Sequence, residues 1–253
     1  MPKIEFEGKV PVEHEELVNQ VKLARGLGLP YIQDVEVHDK RLAVVGGGPS
    51  VKDRLDELRQ YDEIWSINGT THWLAAQGIE STLLALDPCD FLADHVSGAK
   101  KAYLASRCHP DVFLALRDAE VEIYDVMGDF DGERRAVWAS VSAVTAAFHL
   151  SAIRGFRDTT FYGIEGSFDN ETHLYMHEMS MHLYRFVVEC GGNLYTTSPD
   201  LYAQCKAMVP LMRKFKMHFK ERCGGLLRAM IAHDEHDIVQ VTKALRDGLI
   251  VKT

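Results

Sequence analysis

The chain has 253 residues, 46% hydrophobic and 26% charged, with 28 Lys and Arg against 37 Asp and Glu for a formal net charge of −9. That length and apolar fraction suit one large domain with a real core, or one domain plus a small helical appendage. The acidic balance argues against nonspecific attraction to nucleic acid or anionic membrane, and the lack of any run of about 18 apolar residues argues against a membrane span.

The start, Met1-Pro2-Lys3-Ile4-Glu5-Phe6-Glu7, is charged and lacks the apolar centre of a secretory signal. Residues 13–27 read as an amphipathic helix, with Leu17, Val21, Leu23 and Ala24 on one side and Gly26 and Gly28 at its end. Residues 41–45 are a short apolar run, as expected for a buried parallel strand. Gly46-Gly47-Gly48-Pro49-Ser50 follows, then a helical stretch from Val51 to Gln60.

The alternation continues. Residues 63–67 predict a strand, 71–77 a helix, and 81–86 a strand ending at Asp87-Pro88. Residues 101–105 and 121–124 predict further strands with a helix over 110–117 between them. A helix rich in small residues is expected over 138–154, and a strand over 159–163. After Pro199 only helices are expected, over 201–223 and 226–249, divided by Gly224-Gly225.

Strands alternating with helices at this spacing predict an α/β fold: a Rossmann-like, mostly parallel open sheet with helices on both faces, plus a helical C-terminal extension. The expected division is an N-terminal helix and lead-in (1–40), a nucleotide-binding domain (41–199) and the extension (200–253). In such sheets ligands sit beyond the carboxyl ends of the strands. The polar loops at 46–50, 68–71, 87–90 and 165–170 converge there, which is the main argument from the residues for one site.

The glycine run after the first strand carries the strongest local signal. Glycines let the backbone turn sharply and approach a ligand with no Cβ in the way. Pro49 suits the first turn of a helix, and Ser50 can cap that helix or bond a phosphate, which the free amides and dipole also favour. Neither GxxxxGK[ST] nor GxGxxG is present. An ordinary strand-to-helix turn is the bland alternative.

Five scattered cysteines (Cys89, Cys108, Cys190, Cys205, Cys223) lack CxxC spacing. They read as reduced thiols, and the chain as a cytoplasmic protein. Arg134 and Arg135 suit either a phosphate contact or a salt-linked surface loop.

Gly46-Gly47-Gly48-Pro49-Ser50 resembles the Gly-x-Gly-Pro-Ser signature of the MptE-like family, named for archaeal 6-hydroxymethylpterin diphosphokinases. Flagellin-glycosylating motor accessory factors share it, as do, more distantly, bacterial sialyltransferases that use CMP-sialic acid. Ile67-Asn68-Gly69-Thr70, Leu86-Asp87-Pro88, Ser140-Val141-Ser142 and Phe161-Tyr162-Gly163-Ile164-Glu165 resemble the motifs that follow in order, over residues 41–199. Glu165 departs from the pattern, standing where relatives carry Asp.

The resemblance implies a nucleotide-dependent transferase. Gly46, Gly47, Gly48, Pro49 and Ser50 would hold the nucleotide's phosphate or ribose. Asn68, with Gly69 and Thr70, would bind the nucleotide, while Asp87, Ser140, Ser142, Gly163 and Glu165 would line the site. Plain turns at Asn68-Gly69 and Asp87-Pro88, and a helix cap at Ser140 or Ser142, are the alternatives.

His173 and His177 stand one helical turn apart near Glu165 and Asp169. An imidazole titrating near neutrality suits a general base for an acceptor hydroxyl, with His173 first and His177 second. Tyr175 would steady the departing phosphate. Metal ligation and a structural role are the competing readings of the pair.

The leading expectation is a glycosyltransferase-like enzyme with a nucleotide-sugar donor, no metal and no further cofactor. The first rival is a diphosphokinase acting on a pterin-like alcohol with ATP and Mg²⁺, the metal held by Asp87 and Asp90 or by Glu165 and Asp169. The second is a non-catalytic nucleotide-binding protein. Exposed faces of the C-terminal helices are candidates for pairing into a homo-oligomer, and the acceptor is left open.

Overall fold

The structure is a computed structural model that describes residues 12–96, 98–129, 132, 134–140, 142–168 and 185–241, with backbone alone for 240 and 241. In chain order the elements begin with α1 (His14–Gly26) and β1 (His38–Val45). A 3-10 stretch (Pro49–Arg54) leads into the four-residue α2 (Leu55–Leu58), then β2 (Glu63–Ile67), α3 (Thr70–Ala76) and β3 (Thr82–Ala85). Next come α4 (Ala93–Val96), β4 (Lys101–Ala105), α5 (Pro110–Ala115), β5 (Glu120–Val126) and β6 (Ala136–Val137). The remainder comprises α6 (Ala143–Ile153), β7 (Phe156–Tyr162), β8 (Phe186–Cys190), β9 (Asn193–Thr197), α7 (Pro199–Lys214), β10 (Phe219–Glu221), α8 (Gly225–Ala232) and β11 (His236–Val241).

Eight strands form one sheet in the order β10-β7-β1-β2-β3-β4-β5-β6, and each pairing is parallel. The expected Rossmann-like α/β architecture is therefore present. From β1 the chain steps outward in one direction to β6. It then crosses back through α6 to place β7 on the other side of β1. The order reverses at β1, so the β1/β7 boundary is the topological switch point of the sheet.

Burial explains why these segments are strands. The second half of β1, Leu42-Ala43-Val44-Val45, is buried at every position. Leu42 and Val44 belong to one core cluster, with Trp65, Phe148 and Phe161. Ala43 and Val45 belong to the other, with Val51, Leu58 and Leu74. A strand covered on both faces reads as a continuous apolar run rather than an alternating one.

The small-residue helix starts later than its composition suggested. The side chain of Ser142 accepts from the Thr145 amide and the Thr145 hydroxyl accepts from the Ser142 amide, a reciprocal cap that sets the first turn at Ala143. Nine of the eleven residues of α6 are buried, so the helix lies inside the protein over β1, β3 and β7.

The expectation of helices alone after Pro199 is corrected. Helices α7 and α8 are there, but β10 between them adds a strand beside β7, and β11 pairs with β8 in a small antiparallel sheet of order β11-β8-β9. Short segments such as Phe219–Glu221 carry too little periodicity to reveal a strand, and the neighbouring β7 supplies the pairing.

The imidazole of His149 in α6 accepts a hydrogen bond from the Trp138 amide at 2.9 Å through Nδ1. Burial, then the nearby Arg135 cation, hold its pKa below the usual value. A neutral His149 therefore contributes stability that is full above about pH 6.5, where the unfolded chain is also neutral, and that declines as pH falls and the unfolded chain takes up the proton. Replacing His149 by Asn keeps an acceptor and removes the titration. The fall in melting temperature from pH 7 to pH 5 should be smaller in His149→Asn than in the parent; equal falls in a differential scan would contradict this.

Candidate functional site

The carboxyl ends of β1 and β7 are locked together through glycines. The Gly46 amide donates to the Tyr162 carbonyl at 2.8 Å and the Gly48 amide to the Gly163 carbonyl at 2.8 Å. A Cβ on Gly46 would lie 2.6 Å from the Gly163 oxygen, and one on Gly163 would overlap the Gly46 carbonyl. Gly163 also has φ +62°, a conformation that other L-residues seldom adopt. The two turns interlock because neither carries a side chain.

Glu165 fills the space this creates. Its Oε1 accepts from the Ser50 amide at 3.2 Å and from the Ser50 hydroxyl, and the residue is 8% exposed. A Cβ on Gly48 would overlap the Glu165 carboxylate. The Ser50 amide is one of the donors expected to receive a phosphate, and it already carries an internal anion. The helix it opens is a short 3-10 stretch followed by four α-helical residues, so its dipole is weak.

The Glu165 loop is also held from the opposite side. The Leu227 amide of α8 donates to the Glu165 carbonyl at 2.8 Å, and the Leu226 amide donates to the Ser167 hydroxyl at 3.2 Å. The Thr197 hydroxyl of β9 donates to the Gly166 carbonyl at 2.7 Å. A Cβ on Gly225 (φ +63°) would lie 2.5 Å from Ser167 Oγ and 2.7 Å from Glu165 Cβ. These positioning residues escaped the sequence reading, in which Gly224-Gly225 served only to divide two helices. The glycine pair was the available signal.

Beyond β1 the expected site residues form a row. Gly46, Asn68 and Asp87 leave three adjacent strands, so two steps of roughly 4.8 Å separate the first from the last. Asn68 has φ +50°, and its Oδ1 is buried with no hydrogen-bond partner among the described residues. Gly69 is half-buried, and Thr70 is buried at the start of α3. Asp87 is half-buried and accepts from the Cys89 amide at 3.0 Å, closing a local turn. Burial, then the Asp87 charge, push the Cys89 thiol up to about 11.

Further along the same rim, Asp125 at the end of β5 is fully buried. It accepts from Arg25 at 2.6 Å, the Ser106 hydroxyl at 2.6 Å and the Arg134 amide at 2.8 Å. Arg107 pairs with Asp129 at 3.0 Å. Arg135 pairs with Asp34 at 2.6 Å, in keeping with a salt-linked loop, although the partner comes from a distant part of the chain.

Ser142 is engaged as the α6 cap and Ser140 is exposed just before it. Since α6 runs from the end of β6 to the start of β7, both lie at the carboxyl rim. Gly47 and Pro49 are half-buried. Burial, then the Glu165 charge, push the thiol of Cys223 up, so it stays protonated beside the loop.

His173, Tyr175 and His177 lie outside the described residues. The chain reaches that segment from Phe168 and returns at Arg185, whose guanidinium sits 4.1 Å from the centre of the Phe168 ring. Among the described residues no group of three or more His, Cys, Asp or Glu side chains is arranged to hold a metal, and no helix is long and apolar enough to cross a membrane.

The fold is thus a doubly covered parallel sheet with a glycine-locked switch point. No protein-family model matches the chain, and no curated protein matches it in sequence. Among solved structures, one described as a crystal structure of a mammalian sialyltransferase aligns at a TM-score of 0.43 and 11% identity, over 86% of this chain and 81% of that one. A likeness of that strength decides neither family nor activity.

Proposed function

We propose that the chain is a nucleotide-dependent transferase of glycosyltransferase-like chemistry, binding a nucleotide or nucleotide sugar across the carboxyl ends of β1, β2 and β7. The observation that carries this reading is Glu165, held on Ser50 between the two glycine turns at the switch point. A buried carboxylate accepts hydrogen bonds and repels anions. The ligand group beside it is therefore a ribose diol rather than a phosphate. Asn68 Oδ1, buried and without a partner among the described residues, supplies an acceptor for an amino or hydroxyl group of the same ligand.

In this reading donor and acceptor meet above the sheet. Transfer follows from positioning, removal of the acceptor proton and stabilisation of the leaving nucleotide. The base is sought in His173, then His177, because their segment leaves from Phe168, three residues after Glu165, and returns at Arg185 against the Phe168 ring.

The test is a thermal-shift and calorimetric comparison of CMP, UMP, GMP, ATP and their 2′,3′-dideoxy forms, each with and without Mg²⁺. At least one ribonucleotide should bind without metal, and its dideoxy form about 10–100-fold more weakly, the worth of a hydrogen bond to a charged group. Glu165→Gln keeps the acceptor for Ser50 and should erase most of that difference. Binding only of ATP with Mg²⁺ would favour phosphoryl transfer instead, and no binding by any nucleotide would remove the reading.

A further inference from the structure

A cavity lies away from the strand-end site, where α6 and α7 pass over the amino-terminal ends of β7 and β10. Its volume is about 440 Å³, within the range of about 300–1,000 Å³ usual for small-molecule sites. Phe148, Phe156, Leu211, Phe215 and Phe219 form its walls. The rings of Phe148 and Phe219 meet edge-on at 4.6 Å, so the walls are fixed by packing among themselves. Around it Val37 is 56% exposed, Trp138 36% and Phe215 39%, an apolar surface left to water.

The polar side chains of this cavity include a cation and no anion. Arg157 and two imidazoles, His149 and His218, line it, and no acidic residue does. Two of the nearby acids are already engaged, Asp34 with Arg135 and Asp158 with Lys220, and Glu36 beside Val37 stands exposed outside the lining. Arg157 is exposed and has no acidic partner among the described residues. His218 donates through Nδ1 to the Arg157 carbonyl at 3.0 Å, and His149 receives the Trp138 amide on Nδ1, which leaves Nε2 of the neutral ring as a donor.

We propose that this cavity binds an amphiphilic carboxylate, a medium-chain fatty acid, with the chain among the phenylalanines and the carboxylate at Arg157. Apolar burial supplies the affinity and the unpaired guanidinium selects the anionic head. The site is separate from the proposed nucleotide cleft, and its occupancy does not depend on that reading.

Displacement of bound cis-parinaric acid by dodecanoate, and calorimetry with dodecanoate and dodecanol, test the proposal on the full chain. One saturable site per chain is expected. Ala152 lies exposed on α6 and lines the cavity, so Ala152→Trp should fill the space without disturbing the core and weaken both ligands at least about tenfold. Arg157→Gln should weaken dodecanoate by about tenfold and leave dodecanol unchanged. Absence of saturable binding, or binding indifferent to Ala152→Trp, would overturn the proposal. So would equal effects of Arg157→Gln on acid and alcohol. Ligand-free self-association abolished by Ala152→Trp would also overturn it, by assigning the surface to a second copy of the chain.

Discussion

Gly48→Ala is expected to cost about 3–5 kcal/mol of stability and to abolish the nucleotide binding proposed above, although it adds one methyl group. The methyl would overlap the Glu165 carboxylate and lie 2.6 Å from the Gly163 carbonyl. Neither can yield cheaply. The carbonyl accepts from the Gly48 amide itself, and the carboxylate is buried on Ser50. Pushing it aside leaves an anion without its donors, which adds desolvation to steric cost.

The double variant Gly48→Ala/Glu165→Ala separates these causes. Removing the carboxylate should recover a large part of the lost stability, since residues in contact are not additive. Gly26→Ala, at a position with nothing within 4 Å of the added atom, is the control and should be near neutral. Chemical denaturation measures all three; a Gly48→Ala protein as stable as the parent would mean that the two turns are not locked as described.

The second large effect is expected at Asp125. It is fully buried and receives donors from Arg25, Ser106 and Arg134, which tie α1, the end of β4 and the chain leading into β6 to one carboxylate. Asp125→Ala leaves the guanidinium, a hydroxyl and an amide short of their acceptor. Breaking a buried charged pair from one side costs about 3–5 kcal/mol. In a chain of this size that lowers the melting temperature on the order of 10 °C. Asp125→Asn retains acceptor capacity and should lose clearly less. Calorimetric scans in which Asp125→Ala melts within a degree or two of the parent would show that the cluster does not hold the rim.

The sheet was legible in the sequence wherever burial on both faces writes a continuous apolar run. Residues 41–45, 63–67 and 101–105 coincide with strands for that reason. The pieces that escaped are the hairpin strands β8 and β9, where no strand was expected, and β6 and β10, of two and three residues, which are strands because β5 and β7 stand beside them. Helix α8 ends at Ala232 rather than running on, and β11 takes up the chain to pair with β8. No local period announces that exchange.

The meeting of the strand-end turns was legible in outline and the carboxylate between them was not. The glycine run, Asn68 and the Gly163–Glu165 strand end were all recognised, and Gly46, Gly48, Ser50, Gly163 and Glu165 meet as one unit. That the carboxylate would reach back 115 positions to the Ser50 amide was not visible, because the contact depends on the sheet order that puts β7 against β1. The same order places a carboxylate on the turn that was expected to hold a phosphate.

The most direct test of that account is calorimetric titration of parent and Glu165→Gln proteins with one ribonucleotide and its 2′,3′-dideoxy form, without added metal. The account predicts that the parent prefers the ribonucleotide by about 10–100-fold and that Glu165→Gln, still folded, loses most of that preference. Equal binding of both forms by the parent, or an undiminished preference in Glu165→Gln, would contradict it.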